Sequence, residues 1–208
     1  MHITDVFVRP LPETQEAEVW VEVQSTLYTP RDLTFSLSLY GQNFEQTVFE
    51  NHTHSPSTRM YIGRGDTFTQ AVIGDELAAP TPLETKHGRN QYRIPISIPD
   101  PRIWELETPW LYQIQVAVIE NGTVMDRAKS QFGMRTFTQD IESTPKGMFY
   151  LNGRKTRLRG ANTMGFEQQD VLRGDIDQLI DDILLAKLCN MNFLRLTQRP
   201  VQDEVYTY

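Results

Sequence analysis

Residues 33–39, Leu33-Thr34-Phe35-Ser36-Leu37-Ser38-Leu39, alternate apolar and hydroxyl side chains without a break. Successive side chains of a β-strand point to opposite faces, so this pattern predicts a strand with one buried and one solvated face. The same alternation recurs in residues 18–24, 92–98 and 114–118. Short alternating strands separated by turn residues are typical of a two-sheet sandwich, so residues 1–137 are predicted to be all-β.

Two segments of this region depart from the simple pattern. Pro95 interrupts one of the predicted strands, and because proline cannot donate a backbone hydrogen bond, we expect a sheet edge there. Residues 51–90 are rich in Pro, Gly, Ser and Thr and are longer than a usual sandwich loop. They predict a surface insertion that holds at most a short strand near residues 67–73.

After Phe137 the pattern changes from strands to a mixture of strand and helix. Asn152-Gly153 stands between two strand-like runs, which predicts a β-hairpin. Apolar residues then recur at helical spacing, with Asp175 placed to cap the start and Lys187 near the end. They are Ile176, Leu179, Ile180, Ile183, Leu184 and Leu188. A strand-like run at 192–197 follows, so the order strand, helix, strand predicts a parallel βαβ unit.

Composition excludes several classes of partner. The net charge of −7 is spread along the 208 residues, which argues against a nucleic-acid surface and against binding to anionic membranes. No run approaches the roughly twenty apolar residues that a membrane span needs. Residues 1–5 do not read as an export signal, and both a cytoplasmic and a periplasmic or secreted bacterial location stay open.

No metal or cofactor site is expected. His52 and His54 have the spacing of a metal pair, but no third ligand is evident nearby. Gly63-Arg64-Gly65 lacks the strand-to-helix context of a phosphate-binding loop. The single cysteine, Cys189, lies in an apolar helical stretch and is interpreted as a small buried side chain.

Five short motifs, in order along the chain, resemble those of the glycoside hydrolases of family 2, which include β-galactosidases, β-glucuronidases and β-mannosidases. The first is similar to W-x-P-x-x-P-x-L-Y, and the next three to F-G-[FM]-R, F-x-L-N-G and L-x-G-x-N. The last has the spacing D-x4-K-x4-N-x2-R-x4-P. They are Trp104–Tyr112, Phe132–Arg135, Phe149–Gly153, Leu158–Asn162, and the set Asp182, Lys187, Asn192, Arg195 and Pro200.

The resemblance implies a division into two domains. In the family, a jelly-roll domain precedes an immunoglobulin-like sandwich, which precedes a catalytic TIM barrel. Residues 1–137 then form the immunoglobulin-like β-sandwich, with Tyr112 placed for a tyrosine corner. Residues 138–208 form an incomplete start of the (β/α)8 barrel: hairpin, strand, helix, strand. The fold class is mainly β.

The resemblance also implies a retaining glycoside hydrolase that acts on O-glycosidic bonds of oligo- or polysaccharides. Such enzymes use two carboxyl groups about 5 to 5.5 Å apart. In the family both are glutamates on later barrel strands, and the acid/base directly follows an asparagine. This sequence contains no Asn-Glu pair. We therefore expect no catalytic residue in this chain and no activity from it alone.

Three residues are candidates for substrate binding or support of the site. Arg195 resembles the family arginine that orients the nucleophile and holds it ionised, although a surface arginine on a loop stays an alternative. Asn162 either donates to substrate or caps the following segment. Gln198 either reaches a sugar hydroxyl or lines the rim of the site.

Two positions depart from the β-galactosidases of the family, which carry histidines where this chain has Met164 and Gln198. Because those histidines contact sugar or support the site, their absence implies a different pocket.

A non-catalytic immunoglobulin-like module for carbohydrate binding or adhesion is the alternative function. It explains residues 1–137 equally well, but not the hairpin, helix and Arg195 strand in family order. An incomplete barrel also leaves apolar surface uncovered. We expect the segment after Gly160 to pair with the same segment of another chain, forming a homo-oligomer, or to fold back on the sandwich.

Overall fold

The computed structural model describes residues 1–26, 31–54, 58–62, 84–85, 87–143, 146–196 and 202–207. The chain divides into two compact units, Met1–Thr136 and Phe137–Tyr208. Strands dominate the described part of the first unit, whereas the second contains both strands and helices. None of the described helices is both long enough and apolar enough to cross a membrane.

The first unit consists of two antiparallel four-stranded sheets, ordered β1-β2-β8-β6 and β10-β9-β4-β5, and a separate pair, β3-β7. Its strands are β1 (His2–Leu11), β2 (Glu16–Ser25), β3 (Arg31–Asp32), β4 (Thr34–Gly41), β5 (Thr47–His54), β6 (Thr58–Ile62), β7 (Glu84–Thr85), β8 (Gly88–Ser97), β9 (Tyr112–Glu120) and β10 (Thr123–Phe132). The expected mainly-β character is confirmed.

One apolar core joins the inner faces of the two sheets. The alternating residues that predicted strands are its members, including Val19, Val21 and Val23 on β2 and Phe35, Leu37 and Leu39 on β4, all fully buried. Burying each large apolar side chain stabilises the fold by about 1.5–3 kcal/mol. The unit is therefore a β-sandwich whose two outer faces carry the polar residues of the same strands.

The sequence predictions for Pro95 and for residues 51–90 need correction. Strand β8 lies between β2 and β6 and is not an edge strand. In the described pairing β6 faces Arg89–Arg93, and Pro95 itself lies opposite Glu18 of β2. Residues 51–54, 58–62 and 88–90 belong to sheet strands, so an insertion over the whole of 51–90 is wrong. The strand expected near 67–73 lies outside the described residues.

Tyr112 forms the tyrosine corner that its position predicted. Its side chain is fully buried at the start of β9, and its hydroxyl accepts a hydrogen bond of 2.8 Å from the backbone N–H of Arg102. Burial raises the pKa of this hydroxyl. Phe44 packs edge-on against the Tyr112 ring at 5.0 Å. These contacts hold the loop before β9 against the core.

The second unit opens with an antiparallel three-stranded sheet made of β11 (Phe137–Asp140), β12 (Met148–Leu151) and β13 (Arg154–Thr156). The predicted hairpin is confirmed: Asn152 and Gly153 have φ of 50° and 73°, the left-handed conformations of a two-residue type I′ turn. Strand β11 was not predicted. It is joined to β12 by a stacked pair of rings, Phe137 and Phe149, 5.5 Å apart.

A parallel pair of strands with two helices between them follows. Its elements are β14 (Gly160–Thr163), α1 (Phe166–Arg173), α2 (Ile176–Leu188) and β15 (Phe193–Leu196), and α3 (Asp203–Thr207) comes after them. The parallel pairing and the cap are confirmed, since the Asp175 side chain accepts from the N–H of Gln178 at 3.1 Å. Helix α1 was missed because most of its residues are polar.

The interpretation of Cys189 as a buried side chain is wrong, because the residue is exposed. It is the C-cap of α2, and the last turn of this helix is poorly covered. Leu184 is 49% and Leu188 83% exposed, whereas Leu179, two turns earlier, is fully buried. The helix therefore buries only the first part of its apolar face in this unit.

We predict that the sandwich unfolds cooperatively without the second unit, because the core described above is closed by strands of the first unit alone. A chain that ends at Thr136 should keep a single thermal transition measured by circular dichroism. The full chain, measured at the same concentration, is the control. Loss of the cooperative transition in the shortened chain would contradict this division of the molecule.

Candidate functional site

The candidate site lies where the two parallel strands of the second unit end. Strands β14 and β15 pair in register, so that Asn162 is opposite Arg195 and Thr163 is opposite Leu196. In a parallel pair both carboxyl ends lie at the same edge. Asn162 and Arg195 are the penultimate residues of their strands and both are exposed. Two of the three residues singled out in the sequence therefore lie side by side at one edge.

A hydrogen bond joins these two side chains. The Arg195 guanidinium donates through Nη1 to Oδ1 of Asn162 at 3.1 Å. A guanidinium has five N–H donors, and this is its one side-chain hydrogen bond to another described residue. The remaining donors are available for a carboxylate or a sugar hydroxyl. Gln198, the third candidate, lies outside the described residues.

Asn192 fixes the register that brings the pair together. Its Oδ1 accepts from the N–H of Arg159 at 2.8 Å, its Nδ2 donates to the carbonyl of Arg157 at 3.0 Å, and its own N–H donates to the carbonyl of Arg159 at 2.8 Å. Asn192 precedes Arg195 by three residues, and Arg159 precedes Asn162 by three. The three hydrogen bonds, here called the Asn192 clamp, hold the two strands at the start and so align their ends.

Two further contacts support the clamp. The Arg159 side chain donates to the carbonyl and to Oδ1 of Asn190, both at 3.1 Å. At Gly160 an added Cβ would lie 1.8 Å from the carbonyl oxygen of Phe193, so only glycine permits this approach of the strands. No role was predicted for Asn192 from the sequence, although its spacing from Arg195 was the available signal.

Comparison with known proteins assigns the chain to a family. Residues 1–135 match the family model described as glycosyl hydrolases family 2. The chain belongs to glycosyl hydrolase family 2. The resemblance inferred from the five motifs is thereby confirmed.

Named relatives of the family 2 chain are β-galactosidases and β-glucuronidases. A β-galactosidase of Oenococcus oeni is 26% identical over 199 residues, which is 94% of this chain and 18% of the relative. A putative β-glucuronidase of Formosa agariphila is 35% identical over 112 residues, which is 53% of this chain and 13% of the relative. The chain thus spans less than a fifth of the length of either curated relative.

Solved structures share the fold. The crystal structure of a Bacteroides uniformis β-glucuronidase matches 99% of this chain and 22% of its own with a TM-score of 0.62 and 18% identity. A putative β-galactosidase from Bacteroides fragilis matches with a TM-score of 0.59, again at 18% identity. At this identity the likeness shows the fold alone.

A pair of acidic residues on α1 of the family 2 chain does not belong to the site. Glu167 and Asp170, on one face of α1, are 5% and 6% exposed, and neither was predicted from the sequence as a site residue. No hydrogen bond between described residues links them to Asn162 or Arg195. They contribute a buried acidic side of α1.

The histidines of the first unit do not form a metal site with their described neighbours. His52 stacks on Phe49 at 5.1 Å, and its ring lies 6.3 Å from that of His54. Burial and the nearby His52 lower the pKa of His54. Within the described ranges no group of three or more His, Cys, Asp or Glu residues could hold a metal ion.

We predict that Asn192→Ala loosens the β14–β15 pair, because it removes two side-chain hydrogen bonds worth about 1–3 kcal/mol together. Amide hydrogen exchange of residues 160–163 and 193–196 should accelerate in the full chain. Asn192→Asp keeps the acceptor for Arg159 and loses the donor to Arg157, so its effect should be intermediate. Unchanged exchange in Asn192→Ala would show that the register does not depend on the clamp.

Proposed function

We propose that residues 1–137 are the supporting sandwich of a retaining glycoside hydrolase, and that residues 138–208 are the first part of its catalytic barrel. The enzyme acts on O-glycosidic bonds of oligo- or polysaccharides. The observation that carries the proposal is the Asn162–Arg195 pair, joined at 3.1 Å at the carboxyl edge of two parallel strands in a family 2 chain. Barrel enzymes have their active sites at that edge.

The strand order supports an immunoglobulin-like assignment of the sandwich, residues 1–137. Immunoglobulin-type sandwiches have the orders A-B-E-D and C-F-G. The first sheet, β1-β2-β8-β6, has the first order, and β4-β9-β10 has the second, with β5 added beside β4. The Tyr112 corner lies at the start of the strand that corresponds to F, where such domains have it.

The parallel pair supports the assignment of residues 138–208 to the start of a (β/α)8 barrel. Parallel strands need a crossover connection, and here α1 and α2 provide it. The hairpin β12–β13 precedes the first parallel strand, in the order that the family resemblance implies. The alternative function, an adhesion or carbohydrate-binding module, does not explain this second unit.

In the proposed mechanism Arg195 positions a carboxylate. A guanidinium beside the nucleophilic glutamate favours the ionised form of that glutamate and orients it toward the anomeric carbon. Asn162 accepts from Nη1 and so fixes the plane of the guanidinium, while its Nδ2 is left to donate to a sugar hydroxyl. Gln198 is proposed to reach a second hydroxyl. These roles use no metal or cofactor.

We predict that the 208-residue chain by itself hydrolyses no nitrophenyl β-galactoside, β-glucuronide or β-mannoside, because neither glutamate of the family is found in it. Release of nitrophenol is the measurement. Activity that survives repurification would refute the proposal that the two catalytic carboxyl groups lie outside these residues.

The positive test uses an enzyme that contains residues 1–208 together with both catalytic glutamates. There Arg195→Gln should lower kcat/KM about a hundredfold, the usual loss when an active-site contact is misplaced. Arg173→Gln, on the surface of α1, is the matched control and should leave kcat/KM unchanged. Equal activity of the two variants would remove Arg195 from the site. A coding sequence after Tyr208 without an Asn-Glu pair would argue against the enzyme altogether.

We predict that the full chain self-associates through its second unit, where Leu172, Leu185 and Leu188 are 76%, 58% and 83% exposed. Covering such side chains favours association. Sedimentation velocity should show a homo-oligomer for the full chain and a monomer for residues 1–136. Leu188→Asp should weaken the association. A full chain that stays monomeric at high concentration would exclude this interface.

A further inference from the structure

The outer face of the sheet β10-β9-β4-β5 contains a concave groove with a volume of about 350 Å³. This lies in the lower part of the range of small-ligand sites, about 300–1,000 Å³. We call it the sheet groove. Its lining residues are Ser36, Ser38, Asn51, Gln115, Val116, Ala117, Arg127, Ala128 and Lys129.

Short side chains on neighbouring strands make the face concave. Ser36 pairs with Ala117 and Ser38 with Gln115 across β4 and β9. Their neighbours along each strand are buried in the core, so these residues are directed outward by the alternation of the strand. The floor of the groove is therefore low, and it exposes hydroxyl and amide groups together with a larger apolar surface.

A bulge in β5 forms one wall. Leu37 pairs with His52 but Leu39 pairs with Phe49, so β5 has an extra residue at this point. Asn51, in the bulge, has φ of 50°, and its N–H donates to Oγ of Ser38 at 2.8 Å. Bulges re-aim side chains at the edges of sheets, and here the bulge brings Asn51 to the groove.

The opposite wall carries two cations, Arg127 and Lys129, which lie one residue apart on β10 and are both exposed. Neither takes part in an ion pair with a described residue. Asp126, the nearest acid in sequence, accepts from the backbone N–H groups of Ile3 and Arg127, both at 2.8 Å. The groove itself is lined by no acidic residue.

The outer face of the other sheet shows the opposite arrangement. There Glu18 pairs with Arg9 at 3.6 Å and with Arg93 at 3.4 Å, and Glu22 pairs with Arg89. In a chain of net charge −7, two cations without a described acidic neighbour form a local positive region. Such a region complements an anionic ligand.

We propose that the sheet groove binds an acidic saccharide, with the carboxylate of a uronic acid unit held by Arg127 and Lys129. The ring hydroxyls then exchange hydrogen bonds with Ser36, Asn51 and Gln115. The saccharide class rests on the proposed function. A simple anion would use the two cations alone, whereas the hydroxyl and amide groups among the apolar lining provide both donors and acceptors for a polyol. A site of this kind raises the local concentration of a polymeric substrate around the enzyme.

The test is a titration of the full chain with tetragalacturonic acid, followed by calorimetry and by amide chemical shifts. We expect shifts at Ser36, Ser38, Asn51 and Gln115, and about a threefold to tenfold weaker affinity for Arg127→Gln and for Lys129→Gln. Arg9→Gln, an exposed arginine of the other sheet, is the matched control and should bind like the original chain. Thermal unfolding of each variant confirms that it is folded.

Three competing ligands complete the experiment. Cellotetraose, neutral and of equal length, should bind at least tenfold more weakly, and inorganic phosphate should shift no floor residue. A tetraglutamate peptide should not displace the saccharide at equal concentration. Equal binding of phosphate or of the peptide, or absence of saccharide binding in the folded chain, would overturn the proposal.

The outcome is separable from that of the proposed function. If the groove binds saccharide but the enzyme with both glutamates shows no hydrolysis that depends on Arg195, the proposed function is refuted and the groove proposal stands. If hydrolysis depends on Arg195 but no saccharide binds at Arg127 and Lys129, the groove proposal is refuted and the proposed function stands.

Discussion

The two sheets of the first unit share one apolar core, and this core sets the direction of the side chains on the strands that form it. A strand has a period of two residues, so burying Phe35, Leu37 and Leu39 forces Ser36 and Ser38 outward. A slip of one residue would place those hydroxyl groups in the core, at a cost of about 1–3 kcal/mol for each unpaired group. The outer faces are thus as tightly specified as the core.

The two outer faces nevertheless differ in their electrostatics. On one sheet each arginine with a described ion pair lies against Glu18 or Glu22. Burial alone would raise the pKa of Glu22, but the hydrogen bonds from Arg89 and Thr4 outweigh it and lower that pKa. The stability that this pair contributes is therefore present above the ordinary glutamate pKa and is lost as the pH falls through the lower folded value. The other sheet has Arg127 and Lys129 beside neutral polar groups. The same architecture thereby offers one face whose described ion pairs join arginines to glutamates and one face with two cations that have no described acidic partner.

The second unit achieves its alignment by a different means. Its parallel pair is short, four residues a strand, and Thr163 is the one buried residue of the pair. Register then depends on polar contacts: the Asn192 clamp, the Arg159 contacts to Asn190, and the close approach that Gly160 permits. The hydrogen bond between Asn162 and Arg195 follows from that register. The proposed barrel assignment rests on this pair, because barrel enzymes have their active sites at the carboxyl edge of their parallel strands.

The sequence determined the elements whose cause is local. The alternation of apolar and polar residues predicted the long strands. Asn152-Gly153 predicted the hairpin, because both residues adopt the left-handed conformation of its turn. Asp175 predicted the start of α2, because its side chain caps the helix. The five motifs gave the family, with Arg195 and Asn162 as candidates. Predictions from local sequence pattern were wrong where the outcome depends on contacts between distant segments. Pro95 lies in a strand that pairs on both sides, and Cys189 is exposed because no described residue covers the last turn of its helix.

Only the tertiary structure decided how distant residues meet. The Asn192 clamp joins positions more than thirty residues apart, and the sheet groove combines four strands with a bulge whose position depends on the pairing of β5 with β4. The position of Asp126 is likewise set by a distant residue, since its carboxylate accepts from the N–H of Ile3. Such contacts are set by register and packing between segments, and a one-dimensional pattern contains the residue types but not their distances.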